Sequence, residues 1–265
     1  MSSSKNNPVS VSSIQNLITS ATQSNEIDAN AASIMINSLD DTNVIGCTGV
    51  DIDDLTTDCV TLVAIVLDSS YSMFPNELVV REAFDELVIK AMSESKQADS
   101  MLVSTRTFSN KEDILYGFKK VSDIGKIGSQ YDAKGDSTRL YDSLVNAITA
   151  IRAYAKTLND GGVRTKCIVV PFTDGHDNDS QNFKASDVKK LVDECHKSEM
   201  FYFVYVGFKS DPSDNLEADA KSIGFSNVLT STNSPHDIRQ SMGLVSQSII
   251  RKSQTVVGPQ NTFFS

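Results

Sequence analysis

From residue 60 onward, short unbroken apolar runs alternate with longer stretches in which apolar residues recur every three or four positions. Residues 62–67, Leu-Val-Ala-Ile-Val-Leu, form one such run, as expected of a central strand buried on both faces. Residues 76–92 predict a helix with Leu78, Ala83, Phe84, Leu87, Val88 and Ala91 near one face. Residues 101–108 predict a strand whose polar alternation implies less complete burial, and 114–121 a further strand of edge type. A strongly periodic helix follows over 140–158, with Leu140, Leu144, Ala147, Ile148, Ile151 and Tyr154 inward. Next come a buried strand at 165–172, a helix over 185–198, a strand at 201–208 rich in aromatics and valine, and a short helix at 216–223. A strand at 227–229 and a final helix over 235–252, with Ile238, Met242, Val245 and Ile249 at core spacing, complete the series. Strand–helix alternation of this kind predicts an α/β fold, doubly wound, with a mostly parallel central sheet flanked by helices.

The first 58 residues read differently. Residues 1–12 are rich in Ser and Asn and are expected to be mobile. Apolar positions over 14–39 predict one or two modest helices, interrupted near 23–26. Residues 40–58 are acidic, contain Gly46 and Gly49, and suit a loop or short hairpin. The expected organisation is therefore an N-terminal extension (1–58), partly flexible, then an α/β domain (59–254) and a loose tail (255–265).

Composition narrows the function classes. The formal net charge of −10 over 265 residues argues against a nucleic-acid partner and an anionic membrane surface, and is compatible with cation binding. No apolar run reaches membrane-spanning length, and the first residues lack the apolar core of a signal peptide. Cys47, Cys59, Cys167 and Cys195 show neither C-x-x-C spacing nor a disulfide framework, and His176, His196 and His236 are scattered, so no zinc site is expected. The expected setting is the cytoplasm.

Three separated stretches carry the chemistry. Asp68-Ser69-Ser70-Tyr71-Ser72 follows the first apolar run, Gly135-Asp136-Ser137-Thr138 precedes the long helix, and Thr173-Asp174-Gly175 follows the run at 167–172. Carboxylates and hydroxyls suit a hard cation: magnesium first, with manganese or calcium as alternatives. In an open α/β sheet, ligands collect outside the carboxyl ends of strands, where strand order reverses. If the two strands are central neighbours, the three stretches converge there. Two carboxylates then balance the charge of a divalent ion, hydroxyls add coordination without charge, and an incoming carboxylate can complete the shell. Thr138 stands where a helix N-cap would.

Residues of about 60 to 253 resemble a von Willebrand factor A domain, and the three stretches resemble that family's metal-ion-dependent adhesion site. Its Asp-x-Ser-x-Ser falls on Asp68, Ser70 and Ser72, its lone threonine on Thr138 and its last aspartate on Asp174. The resemblance implies that the serines and Thr138 ligate the metal and that the aspartates act directly or through water. It implies a protein partner that offers Asp or Glu as the last ligand; many intracellular microbial members work beside AAA-type ATPases or in larger assemblies. Tyr71 stands where the family commonly has Gly, and His176 where bacterial relatives commonly have Glu.

Other motifs are weaker. The run Asp174-Gly175-His176-Asp177-Asn178-Asp179 looks like a calcium loop, but Ala185 occupies the twelfth position, so a polar turn is expected. Asp51, Asp53, Asp54 and Asp58 read as a solvated loop, and His176 as a surface histidine. No nucleophile elbow, P-loop or second phosphatase aspartate is present. The expected function is a non-catalytic protein-binding module. The alternatives are a scaffold or assembly subunit with a vestigial metal site and, behind it, a metal-dependent phosphoesterase.

Overall fold

Six strands form one sheet in the computed structural model, which describes residues 9–198, 200–255 and 263–264. They are β1 (Cys59–Asp68), β2 (Met101–Phe108), β3 (Glu112–Lys120), β4 (Arg164–Thr173), β5 (Phe201–Lys209) and β6 (Asn227–Thr232), in the spatial order β3-β2-β1-β4-β5-β6. Only β3 runs antiparallel, as an edge hairpin on β2. The chain builds outward from β1 to β3, then returns to the other side of β1 with β4. Strand order therefore reverses between β1 and β4, where Leu67 pairs with Phe172. This is the expected doubly wound α/β architecture.

The helices are α1 (Val11–Gln23), α2 (Ala29–Asn37), α3 (Asp41–Gly46), α4 (Glu77–Ala83), α5 (Lys90–Ser93), α6 (Leu140–Asp160), α7 (Ala185–Cys195), α8 (Leu216–Ser222) and α9 (Pro235–Gln254). Two apolar layers sandwich the sheet. Alternate residues of β1 point to opposite layers: Leu62, Ala64 and Val66 meet α6 and α7, while Val63, Ile65 and Leu67 meet the α4 and α9 side. Among the described residues no helix is long and apolar enough to cross a membrane.

Several expectations need correction. Residues 40–58 hold the helix α3 and a 3₁₀ turn, Ile52–Asp54, rather than only a loop. Helices α1 to α3 bury Ile14, Ile18, Met35 and Val44 in the same core as α6 and α7. Strand β2 is buried at every position, and its polar Ser104, Thr105 and Arg106 have internal partners. Arg106, 2% exposed, donates to Glu112 Oε1 at 2.8 Å and to Asn43 Oδ1 of α3 at 3.4 Å. Thr105 Oγ1 donates to the Tyr116 hydroxyl at 2.9 Å. Between α4 and α5 the chain makes a π-helical turn, Phe84–Ile89. Leu78 stands 67% exposed instead of inward: it is two residues from the buried Val80, roughly 200° around the helix. Phe263, in the tail expected to be loose, is fully buried beside Tyr202, and its N–H donates to Asn227 Oδ1 at 3.0 Å. Of residues 1–12, expected to be mobile, Ser10 caps α1 and residues 11 and 12 open it, while 1–8 lie outside the described residues.

Candidate metal site at the strand-order reversal

Adjacent strands end in the two key aspartates. Asp68 closes β1, and Asp174 follows the last residue of β4. Both are buried, at 1% and 5% exposure. The Ser70 N–H donates to Asp68 Oδ1 at 2.8 Å, turning the chain sharply after the strand. The Ser70 and Ser72 hydroxyls stand 3.0 Å apart, and Ser72 Oγ donates to Asp174 Oδ1 at 2.7 Å. Thr173 Oγ1 donates to Asp68 Oδ2 at 2.6 Å. The first and third stretches are thus joined through side chains.

The second stretch is stitched to both by backbone. Gly135 N–H donates to Ser69 O at 3.1 Å, and Tyr71 N–H to Gly135 O at 2.8 Å. Gly135 is required here by space: a Cβ would stand 2.0 Å from Ser109 Cβ. Thr138 and Asn178 bond reciprocally, Thr138 N–H to Asn178 Oδ1 at 2.8 Å and Asn178 N–H to Thr138 O at 3.0 Å. Thr138 Oγ1 reaches 3.9 Å from the point where a Cβ on Gly175 would lie, so its buried hydroxyl faces the Asp174 loop. Asp68, Ser70, Ser72, Thr138 and Asp174 therefore meet at one end of the sheet.

Thr138 is not the helix cap. Arg139 holds that position and makes no side-chain cap bond. The Asp174–Asp179 run and the following Ser180 do that work. Asp177 Oδ1 accepts from Tyr141 N–H at 3.1 Å, and Ser180 Oγ accepts from Asp142 N–H at 3.1 Å. Asp142 in turn accepts the N–H groups of Gln181, Asn182 and Phe183. This run is a polar turn wrapped over the start of α6: Asp177 accepts from the helix, Asn178 from Thr138, and Asp179 from Ser137 and Arg139. His176 turns away to pair with Asp219 of α8 and is half exposed. Asp136 is exposed, and Ser137 donates to Asp179 at 2.9 Å.

Supporting residues without a motif signal complete the frame. Asn233, between β6 and α9, donates to Asp174 Oδ2 at 3.2 Å and accepts from Asn76 Nδ2 at 2.8 Å. The fully buried Tyr131 donates its hydroxyl to Asp68 O at 2.6 Å, while Arg81 holds the Tyr131 carbonyl at 2.6 and 2.8 Å. Thr173 and Asn178 do lie inside the Thr-Asp-Gly and Asp174–Asp179 stretches visible in the sequence. Nothing comparable flags Asn233 or Tyr131.

The electrostatics bear on what the site could hold. Burial, reinforced by the charge of Asp174, pushes the Asp68 carboxyl up to about 6, and burial likewise raises Asp174. Among the described residues no Lys, Arg or His forms an ion pair with either aspartate. Buried carboxylates are ordinarily paired or bound to metal. Among the described residues no three His, Cys, Asp or Glu side chains cluster as a metal centre. The donor set here is instead two carboxylates and three hydroxyls, all oxygen, which fits a hard divalent cation.

A family model described as the von Willebrand factor type A domain matches residues 63–241. Among solved structures, proximal thread matrix protein 1 from the mussel byssus aligns at 17% identity over 79% of this chain and 47% of that one, with a TM-score of 0.55. The PilB minor pilin from Streptococcus sanguinis aligns at 12% identity over 78% of this chain and 65% of its own, with a TM-score of 0.54. The pilus adhesin SpaC from Lactobacillus rhamnosus GG, in its open conformation, aligns at 13% identity over 74% of this chain and 30% of its own, with a TM-score of 0.53. At these identities the likeness is one of fold, and the chain spans less than two thirds of the length of each. No curated protein matches.

Proposed function

The chain belongs to the von Willebrand factor type A domain family, and from that premise we propose that it is a non-catalytic protein-binding module working through a divalent cation. Asp68, Ser70, Ser72, Thr138 and Asp174 would hold the ion, magnesium first among the candidates. The ion supplies an electrophilic position that a partner Asp or Glu fills. The observation that carries this reading is the pair of buried carboxylates, with no basic partner among the described residues, at the ends of the two strands between which sheet order reverses. Five side chains leave room in a shell of about six oxygens. The residues themselves bind and orient: Ser72 ties the serine stretch to Asp174, and Thr173 and Asn233 fix the two carboxylates.

Neither alternative gains a supporting contact. A hydrolytic role needs a base at the ion, and His176 bonds Asp219 of α8 and, among the described residues, none of the five candidate ligands. A scaffold built on the N-terminal helices would have little apolar surface to offer, because Ile14, Ile18, Met35 and Val44 are buried within the chain and Ile45 alone of the large apolar side chains in α1 to α3 is exposed. The test compares wild type with Asp68→Ala and Asp174→Ala in magnesium and in EDTA. Magnesium raises the melting temperature of wild type only, and capture of the partner is lost in EDTA and in both variants. Partner capture indifferent to EDTA would end the proposal.

A further inference from the structure

Tyr71, Phe74 and Leu78 are three of the five large apolar side chains exposed among the described residues, and they fall within one short stretch, 71–78. Their exposures are 65%, 46% and 67%. Tyr71 and Phe74 stack with ring centroids 5.5 Å apart and planes 4° from parallel. Single exposed apolar residues are ordinary, but a group of them marks a contact surface.

Its location supplies the meaning. Tyr71 lies between Ser70 and Ser72, two hydroxyls of the candidate cation site, and its N–H is fixed to Gly135 O at 2.8 Å. The aromatic pair is therefore held at the rim of that site. The charges nearby in sequence are neutralised: Glu77 pairs with Arg81 at 2.6 Å, and Glu82 pairs with Arg239. The stretch offers apolar area with little net charge. A chain of net charge −10 repels acidic partners at long range. A carboxylate approaching the ion therefore gains from a second, charge-independent hold beside it.

We infer that the partner is a protein segment in which an Asp or Glu is flanked, within two or three residues, by a bulky aliphatic or aromatic side chain. The carboxylate goes to the cation, and the apolar neighbour lies on Tyr71, Phe74 and Leu78. The first of these contacts rests on the proposed cation site; the second stands on the exposed stretch alone.

The experiment selects a displayed peptide library, with one fixed Asp and randomised flanks, on the full chain in magnesium. Selected peptides are then measured against wild type, the double variant Tyr71→Ser/Leu78→Ser, and Asp174→Ala. Both positions of the double variant are well exposed, so the fold is retained. The expected result is enrichment of Leu, Ile, Phe, Tyr or Trp beside the Asp, and a loss of roughly tenfold or more in affinity for the double variant. The magnesium shift in its melting temperature stays at the wild-type value. Flanks without apolar bias, equal binding by the double variant, or no enrichment above an Asp174→Ala background would each overturn the inference. Binding that survives EDTA and Asp174→Ala but not the double variant would remove the cation reading and leave only an apolar surface, which also overturns the pairing. A dimer of the free protein that the double variant dissolves would assign the surface to a second copy, with the same consequence.

Discussion

Replacing Asp68 by Asn should stabilise the metal-free protein and abolish its response to magnesium. Asp68 is fully buried, and its carboxyl is raised from 3.8 to about 6, first by burial and then by Asp174. An acid whose folded pKa lies above its unfolded one opposes folding when ionised. The penalty is absent below about pH 4, grows as pH rises, and is complete above about 6. A rise of that size at about 1.36 kcal/mol per unit corresponds to about 3 kcal/mol at pH 7. Asn keeps the shape and can still accept from Ser70 N–H. Its amide would face Thr173 Oγ1, which can turn its proton towards Gly175 O, 3.2 Å away. Allowing about 1 kcal/mol for a poorer hydrogen bond, the variant gains about 2 kcal/mol in EDTA at pH 7, or about 4 to 8 °C at this chain length. The gain disappears near pH 4.5, where the penalty on Asp68 has fallen to about 1 kcal/mol. In magnesium the order reverses, because only wild type binds, and its apparent affinity falls as pH drops below about 6 and Asp68 takes up a proton. Urea unfolding at pH 4.5 and 7, each with EDTA or magnesium, reads all of this. A variant less stable than wild type in EDTA at pH 7, or one that magnesium still stabilises, would refute the reasoning.

Three further outcomes are expected. Gly135→Ala forces a Cβ to within 2.0 Å of Ser109 Cβ, so the loop carrying Thr138 shifts; stability falls by about 2 kcal/mol and the magnesium shift shrinks, both read by thermal unfolding. Glu112→Ala strands the buried Arg106 and frees Ser143 and Asn146 of their acceptor, lowering stability by about 3 kcal/mol or more in urea titration without changing the magnesium shift. Phe263→Ala empties a fully buried position against Tyr202 and lowers stability by about 3 kcal/mol; an unchanged urea midpoint would mean that the C-terminal contact contributes nothing.

The parts legible in the sequence were those in which one residue reports its own environment. A run such as Leu62–Leu67 has no polar position to expose, so its burial on both faces could be read directly. The same local logic misplaced β2, because Ser104, Thr105 and Arg106 are polar residues buried by partners far along the chain: Tyr116, Glu112 and Asn43. Short elements were missed for a related reason. Helix α3 has six residues, too few to display a period. The assignment of Leu78 failed because a residue in the first turn was placed by its apolarity rather than by its angle from Val80. At the site, the three stretches were visible because strand ends and oxygen side chains coincide. Asn233 and Tyr131 were invisible because an asparagine after an edge strand and a tyrosine in a loop carry no signal until the fold brings them to Asp174 and Asp68.

The loops around the aspartates are tied to one another by bonds that involve no ion. Ser69 and Tyr71 pair with Gly135, Thr138 with Asn178, Thr173 with Asp68, and Asp142 with three successive N–H groups of the following loop. Their ordering entropy is therefore met on folding. A cation arriving at such a site has little loop left to organise, so its binding energy goes into offsetting the repulsion and desolvation of Asp68 and Asp174. Loss of one ligand should then remove the ion and leave the loops in place. The same rigidity keeps Tyr71 at the rim whether or not the site is filled. The inferred partner preference at the aromatic pair is thus separable from ion affinity at the carboxylates: substituting the carboxylates should abolish magnesium binding, and substituting the aromatic pair should leave it unchanged.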